Sequence, residues 1–479
     1  MSALNPPATP LGRSLPLLVA GVVVALFYGS LISPGRVPYS RDDPFLVLPQ
    51  LATLHRIIRH GIPWWDPRRG GGQPILSNPH YAAFYPPTWI SFLVPAQYAL
   101  NLLLLLHVAI AFAGAWALTR HLGGSRVAAA IAAVGFTCGG AALSLAELFN
   151  LFCGMAWFPG IVLAGDLLLE SPARRTARYG ILCAGALALQ TLNGDPASVV
   201  MSGLMLCALA LVRAKRWRSL RRLAAVGALA LLLASVQLLP TWFRWRDSPR
   251  SHGLDLAQAG LWSMPPARLA EVALPRLFGA PEKDESNLFF GWRINDRSYP
   301  LLTSIYPGIF ILLLAFAGLG AGGLPRRGAW AAAAAVGLFL ALGRHNPLFA
   351  PIHHWVPLLA VQRYPEKFMA LTMSALVFAA ALAWDRVRGR CGTIATVLGS
   401  SLVLAYAGAC VFTWTDPGAI NTYVQWGSSV PWNAETLQHA VAFLRREALV
   451  GLLLATAATL IFLALRRNIA TRSLVTVAL

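Results

Sequence analysis

Residues 99–126 read ALNLLLLLHVAIAFAGAWALTRHLGGSR, an uncharged run that ends in a short loop with Arg120 and Arg126. Crossing the hydrocarbon core of a bilayer takes about 20 apolar residues, and the part from 99 to 119 is long enough. The bilayer core offers no water to peptide groups, so such a segment must be a helix. Apolar runs followed by arginines recur along the chain, which predicts an all-α, polytopic membrane helix bundle.

The composition of the whole chain agrees with burial in lipid. Of the 479 residues, 57% are hydrophobic and 12% are charged, whereas soluble domains are about 45–50% apolar and about 25% charged. In a soluble protein, a net charge of +20 would suggest binding to nucleic acid. Here much of the arginine lies in short loops, where it sets orientation. We therefore expect one integral membrane domain over residues 1–479 and no nucleic-acid partner.

About twelve apolar segments are candidates for membrane spans. They lie near 15–33, 99–119, 127–146, 151–169, 178–193, 196–212, 223–240, 303–322, 328–342, 367–384, 393–414 and 447–465. With this count, arginine clusters fall in alternate loops, which begin at Arg120, Arg174, Arg213, Arg326, Arg386 and Arg466. Cytoplasmic loops carry the excess of arginine and lysine. We therefore predict that both termini are cytoplasmic, in a bacterial inner membrane.

Two acidic residues belong to the predicted cytoplasmic end of the bundle. Asp166 and Glu170 close the fourth span, just before Arg174 and Arg175. We expect these neighbouring charges to pair.

The loops on the other side are unequal, and two of them are long, 34–98 and 241–302. In the first, Val47, Leu51, Leu54 and Ile58 recur at helical spacing. Such a pattern predicts a helix that lies flat in the membrane interface.

Two carboxylates follow the first span directly, in Ser40-Arg41-Asp42-Asp43-Pro44. A carboxylate shielded from bulk water can act as general base on an acceptor hydroxyl. It can also bind a divalent cation, Mg²⁺ or Mn²⁺, that bridges a phosphate. Asp43 before a proline also suits a helix N-cap. Asp42 is therefore the stronger candidate, and the sequence assigns no metal ligands.

Other polar residues fall on the same predicted outer side and are candidates for a binding site: Glu147, Asp195, His80, Arg363, Glu366 and Lys367. A charge beside the bilayer core is costly and suggests function, although helix capping explains Glu147 and a tight turn explains Asp195. His80 has the alternative of a solvated loop histidine. Arg363 and Lys367 either bind a phosphate or anchor a helix at the lipid headgroups.

Several short motifs occur in a fixed order along the chain. They are Arg41-Asp42 after the first span, Gly61-Ile62-Pro63-Trp64-Trp65-Asp66-Pro67, Gly72-Gln73-Pro74, Tyr85-Pro86-Pro87, Asn193-Gly194-Asp195-Pro196, Asn346-Pro347-Leu348 and Gln362-Arg363-Tyr364-Pro365-Glu366-Lys367-Phe368. Their order resembles the YfhO-type family of bacterial multi-pass membrane proteins. That family is similar to the GT-C class of polyprenyl-phosphate-sugar-dependent glycosyltransferases. The chain departs from the pattern at Asp195, where relatives often have histidine, so metal binding at that turn stays open.

The resemblance implies a GT-C-like enzyme that moves a sugar from a polyprenyl-phosphate donor to a cell-envelope glycan or glycolipid. By position, Asp42 would be the catalytic base and Asp43 the second candidate. The alternative is a multi-pass transporter or lipid flippase. Transporters place polar residues near the bilayer midplane, whereas this chain gathers them at one face. An enzyme therefore predicts one outward cleft with most of the candidates, and a transporter predicts a central polar cavity.

Overall fold

The computed structural model shows a helical bundle with a single described sheet of two short strands. It describes residues 10–33, 35–38, 41, 43–58, 61, 64–280, 288–296, 298–356, 362–428 and 431–466. The helices are α1 (Pro10–Tyr28), α2 (Leu48–Ile57), α3 (Ile90–Leu93), α4 (Ala96–His121), α5 (Arg126–Cys138), α6 (Gly140–Ala146), α7 (Phe149–Ala156), α8 (Phe158–Glu170), α9 (Ala173–Leu192), α10 (Pro196–Leu211), α11 (Arg216–Leu233), α12 (Ser235–Arg246), α13 (Leu256–Ala259), α14 (Ile309–Ala321), α15 (Arg327–Ala341), α16 (Phe349–Trp355), α17 (Met369–Trp384), α18 (Arg390–Thr415), α19 (Pro417–Gly427) and α20 (Ala434–Arg466). The strands β1 (Trp65–Asp66) and β2 (Gln73–Pro74) pair antiparallel.

Every predicted span coincides with a helix or with two consecutive helices. Among the residues that the structure describes, six helical segments are long and apolar enough to cross a membrane. Two bent pairs raise this number to eight if each is one span: α5 with α6, bent by 41°, and α11 with α12, bent by 76°. The apolar helices α10, α14 and α15 are shorter. The helical membrane bundle is thus confirmed, and the count of twelve spans stays a prediction.

Helix α17 is the centre of the bundle and positions the site, which lies at the residues just before its N-terminus. Every side chain from Met369 to Ala383 is buried, and the helix packs on α5, α14 and α15. Small residues allow this close packing, since Gly318 of α14 lies against Ala383 and Gly337 of α15 against Thr372. A helix that is apolar on all faces can be stable only inside such a bundle.

The predicted cytoplasmic end is held together by the Asp166 carboxylate, which is 1% exposed. It accepts hydrogen bonds from Arg213 and from Arg326 Nε at 2.9 Å, and it lies 3.0 Å from His121 Nε2. Arg326 also pairs with Glu170. These residues belong to four of the predicted arginine loops, so the structure brings those loops to one end of the bundle.

The predicted pairing of Asp166 and Glu170 with Arg174 and Arg175 is wrong. Both arginines are exposed on the first turn of α9. The actual partners approach from loops distant in sequence, which the local pattern could not reveal.

The first outer loop is held in shape internally by Asp66, which is 3% exposed. Its carboxylate accepts hydrogen bonds from the Tyr81 hydroxyl at 2.6 Å, Thr53 Oγ1 at 3.4 Å and the Arg68 amide at 3.1 Å. Burial and the nearby Asp66 carboxylate raise the pKa of Tyr81 to about 12, so its hydroxyl remains a donor.

Helix α2 forms where the periodicity predicts it, but its apolar stripe faces protein. Val47, Leu51 and Leu54 are buried, and the helix packs on α3 and α4. The stripe is therefore not free to face lipid, as a helix lying flat in the membrane interface would require, because Val47 and Leu51 belong to the bundle core and Ile75 and Tyr81 cover Leu54. Periodicity alone does not distinguish burial in lipid from burial in protein.

A buried chain of hydrogen bonds ties the same loop to the bundle core. Trp157 Nε1 donates to the Tyr85 hydroxyl at 2.7 Å, that hydroxyl lies 2.6 Å from His107 Nε2, and His107 Nδ1 lies 2.6 Å from the Leu103 carbonyl. An indole N–H only donates and a carbonyl only accepts. A neutral His107 with its proton on Nδ1 therefore satisfies every group, with Tyr85 donating to Nε2.

Replacing this histidine should weaken the fold measurably. We expect His107→Leu to lower the free energy of unfolding by about 1–3 kcal/mol, because the buried Tyr85 hydroxyl loses its acceptor. The measurement is the thermal unfolding midpoint of the purified protein in detergent, with the exposed Leu102→Ala on the same helix as control. An unchanged midpoint for His107→Leu would show that these hydrogen bonds contribute nothing to stability.

Candidate functional site

A cleft of about 370 Å³ opens at the end of the bundle opposite the arginine loops. Helices α7 and α8 show that the cleft and the arginine loops lie at opposite ends, because they run from Phe149 in the cleft to Glu170 beside those loops. The lining side chains are Arg41, Leu46, Val47, His80, Leu148, Phe149, Asn150, Leu151, Asp195, Trp262, Leu301, Arg363, Tyr364 and Lys367. Four of the predicted site residues, His80, Asp195, Arg363 and Lys367, thus line one cleft.

Arg363 and Lys367 form its cationic wall, at the outer end of α17. Tyr364 has a left-handed backbone (φ 65°), and the following residues make a tight 3-10 turn, Pro365–Phe368, that leads into α17. The Arg363 guanidinium lies 4.9 Å and the Lys367 Nζ 5.8 Å from the centre of the Tyr364 ring. The negative face of an aromatic ring attracts cations, so Tyr364 helps to hold both charges at the cleft.

Asp195 also lines the cleft, at the start of α10. Its Oδ2 accepts a hydrogen bond from the Ser198 amide at 2.7 Å, so it caps the helix as turn chemistry predicts. Its charge also attracts the Lys367 ammonium. The turn before it is held by α7, because Asn150 Nδ2 donates to the Asn193 carbonyl at 2.7 Å and Asn193 returns the bond to the Asn150 carbonyl.

Gly194 allows this turn to pass directly beneath the Pro79–His80 backbone. It has a φ of 86°, and a Cβ at this position would collide with the Pro79 carbonyl. We expect Gly194→Ala to lower the free energy of unfolding by about 1–3 kcal/mol, because a residue with a Cβ is strained at this positive φ and must displace the Pro79 carbonyl. The measurement is the thermal unfolding midpoint of the purified protein in detergent, with Gly203→Ala, which meets no neighbouring atom, as matched control. Equal midpoints of the two variants would contradict the role of the turn.

Arg41 fastens the first outer loop to the rest of the cleft. Its Nη2 donates to the Pro300 carbonyl at 2.7 Å, and its Nη1 donates to the Leu301 carbonyl. Its Nε lies 3.6 Å from Glu147 Oε2. Glu147 therefore reaches the cleft through Arg41.

The structure describes only one of the two predicted acidic bases, Asp43. Asp42 lies outside the described residues, and its sequence neighbour Arg41 lines the cleft. Asp43 is 1% exposed, opens the helical turn Asp43–Val47 and lies near the Cys153 thiol. Asp43 is not among the described residues that line the cleft. Of the two residues next to Asp42 in the sequence, only Arg41 lines it.

Glu366 does not line the cleft, which corrects its prediction as a substrate-binding residue. Its carboxylate is 1% exposed and pairs with Arg268. The amides of Leu301 and Leu302 donate to its two oxygens at 3.0 and 3.1 Å. The tight turn directs Glu366 into the protein, where it holds the 301–302 segment, and directs Lys367 into the cleft.

Trp262 is a cleft residue that the sequence did not single out. It has a φ of 51°, and its ring meets Tyr364 edge-on at 4.6 Å between centroids. A tryptophan in an outer loop is normally assigned to the interfacial belt, so no signal in the sequence separated it from the other tryptophans.

The described residues of the cleft do not favour a divalent cation. Arg41, Arg363 and Lys367 bring three positive charges, while Asp195 caps a helix and Glu147 pairs with Arg41. Among the described residues, a three-ligand group is found at the opposite end, at His121, Asp166 and Glu170, where Arg213 and Arg326 already neutralise the carboxylates.

The fold matches that of a solved membrane protein over nearly the whole length of this chain. ArnT from Cupriavidus metallidurans bound to undecaprenyl phosphate aligns with a TM-score of 0.52 at 14% identity, covering 96% of this chain and 73% of that one. The fold is that of the GT-C class. The arabinofuranosyltransferase AftD from Mycobacteria aligns with a TM-score of 0.49 at 19% identity, covering 96% of this chain and 28% of that one. ArnT in the apo state gives a TM-score of 0.46 at 15% identity, covering 94% and 76%.

The match to ArnT bound to undecaprenyl phosphate shows the fold alone. No family model and no curated protein matches the chain. The YfhO-type part of the resemblance therefore stays a prediction.

Proposed function

We propose that this protein is a membrane glycosyltransferase that takes a sugar from a polyprenyl-phosphate donor and transfers it to an extracytoplasmic glycan or glycolipid. The observation that carries the proposal is the paired cation wall of Arg363 and Lys367, in a cleft at the end of the central helix of a GT-C fold. The solved ArnT carries undecaprenyl phosphate, which supports a lipid phosphate as the donor's carrier.

The arrangement suits a displacement at the anomeric carbon. The acceptor oxygen bonds to that carbon while the bond from the carbon to the phosphate oxygen breaks. The lipid phosphate leaves with an additional negative charge, which Arg363 and Lys367 stabilise through charge-assisted hydrogen bonds. The acceptor proton passes to a carboxylate, a role that we assign to Asp42 because Arg41 next to it lines the cleft.

The shape of the interior favours this enzyme over a transporter or lipid flippase. The cavity between α5, α7 and α17 measures about 40 Å³ and is lined mainly by small and apolar side chains, such as Ala111, Gly135 and Met373. A transporter would need a polar site near the midplane. The charged side chains of the described residues that make ion pairs lie instead toward the two ends of the bundle.

The function is tested by supplying purified protein in proteoliposomes with labelled polyprenyl-phosphate sugars and envelope glycan or glycolipid fractions. We expect label from at least one donor to appear in an acceptor. Asp42→Asn should lower this transfer by about 10²–10⁴-fold, the usual contribution of a general base. The exposed Asp247→Asn serves as control. Failure to consume any donor would contradict the function, and full activity of Asp42→Asn would exclude Asp42 as the base.

A further inference from the structure

A small helical cap stands beside the cleft and has its own core. The core consists of Phe290, Ile420, Val424, Ala440 and Val441, from the segment 288–296, α19 and the first turns of α20. We call these elements the cap. The Arg293 amide donates to the Gly427 carbonyl at 3.1 Å, which fixes the segment 288–296 to α19.

A row of partly exposed aromatic rings connects the cap to the cleft. Tyr364 and Trp262 line the cleft and touch edge-on. Trp262 Nε1 donates to the Tyr299 carbonyl at 2.8 Å, and the Tyr299 and Trp292 rings are 4.6 Å apart. Trp292 in turn meets Phe289, at 5.7 Å, next to the cap core. We call Trp262, Tyr299 and Trp292 the aromatic path.

The aromatic path differs from the tryptophans typical of a lipid-facing belt. Trp64, Trp242 and Trp355 are 65%, 56% and 78% exposed, whereas the rings of the path are only partly exposed and packed against each other. Trp262 is also fixed through its backbone, since its carbonyl accepts a hydrogen bond from the Glu366 amide at 3.0 Å.

Charged groups flank the aromatic path and indicate that it faces water. Arg344 and Asp296 form an ion pair whose side chains are 40% and 49% exposed. Asp296 lies three residues before Tyr299 in the chain, and the Arg344 amide donates to Ser263 Oγ at 3.0 Å, next to Trp262. Aromatic faces beside hydrogen-bonding groups form a surface that is apolar in its centre and polar at its edge.

A sugar ring has the complementary surface, with C–H groups on its faces and hydroxyls around its edge. We propose that the aromatic path is an acceptor subsite that binds successive rings of an oligosaccharide or polysaccharide and directs its end into the cleft. This inference rests on the proposed function and names its acceptor class as a glycan chain. The ring faces provide contact area and the flanking ion pair provides hydrogen bonds.

The test measures binding of soluble hexasaccharides of arabinofuranose, N-acetylglucosamine, mannose or glucose to the full-length protein in detergent, by calorimetry. We expect at least one to bind and Trp292→Leu to weaken that binding at least about tenfold. Trp292→Phe should largely retain binding, because it keeps a ring. Trp242→Ala, which removes an exposed aromatic on α12, is the matched control.

Undecaprenyl phosphate binding to the same preparations separates the two proposals. If the wild-type protein binds this lipid but none of the hexasaccharides, or if Trp292→Leu and Trp292→Phe bind them equally, the acceptor subsite is overturned and the donor site stands. If the lipid does not bind, the proposed function itself fails. A shared unfolding midpoint of the Leu and Phe variants excludes loss of the cap fold as the cause.

Discussion

Lys367→Gln is expected to lower the rate of sugar transfer by about 10²–10³-fold while the protein still inserts and folds. Removing one preorganised group that stabilises charge in a transition state typically has an effect of this size. Lys367 lines the cleft on the first turn before α17, and Asp195 attracts its charge. The glutamine keeps most of the length of the side chain and its N–H donors and removes the charge.

The transfer assay with purified variants measures this effect. Lys215→Gln, at an exposed position of the predicted cytoplasmic loop 212–215, should behave as wild type. Arg363→Gln should also lose activity, and the double variant should lose less than the product of the two effects because both groups act on one phosphate. A Lys367→Gln rate within twofold of wild type would remove this residue from the catalytic site.

Arg268→Met is expected to be the most destabilising single change, at about 3–5 kcal/mol. Removing one partner of a buried ion pair leaves an uncompensated charge, and that cost exceeds the value of the pair itself. Arg268 is 1% exposed, donates from Nε to Glu271 Oε2 at 2.7 Å, pairs with Glu366 and donates to the Leu302 carbonyl at 2.9 Å. Its loss therefore affects two buried carboxylates.

The pH dependence of the stability of Arg268→Met tests whether unpaired buried charge causes its destabilisation. Burial already raises the pKa of Glu271 above its ordinary value. A group with a raised folded pKa binds its proton more tightly in the folded than in the unfolded chain, so its contribution to stability rises as the pH falls. We expect the unfolding midpoint of Arg268→Met to recover as the pH is lowered toward 5, and Arg268→Met with Glu366→Gln to be more stable than the single variant. A double variant no more stable than Arg268→Met would show that unpaired charge is not the cause.

The sequence could predict the bundle because lipid imposes strict rules on it. Apolar runs of sufficient length must be helices, and the structure places a helix on every predicted span. Two of the loops that carry arginine clusters, those of Arg213 and Arg326, meet at Asp166. The sequence could not predict which arginines would meet there, since Arg213 and Arg326 are brought to Asp166 by packing over a long sequence separation.

The candidate site was predictable in position more than in detail. Polar residues on the predicted outer side included His80, Asp195, Arg363 and Lys367, and these line one cleft. Glu366 and Lys367 are adjacent in the sequence, yet one is buried against Arg268 and the other lines the cleft. That difference depends on the direction of a tight turn and on a partner 98 residues away, and neither is encoded in a local motif.

The most direct test is an experimental structure of the protein with undecaprenyl phosphate added. We predict a phosphate group in the outer cleft, within about 3 Å of the Arg363 guanidinium and the Lys367 ammonium, as charge-assisted hydrogen bonds require. A phosphate bound elsewhere, for example at the arginine loops of the opposite end, or a cleft that stays empty at saturating lipid, would contradict the proposed site.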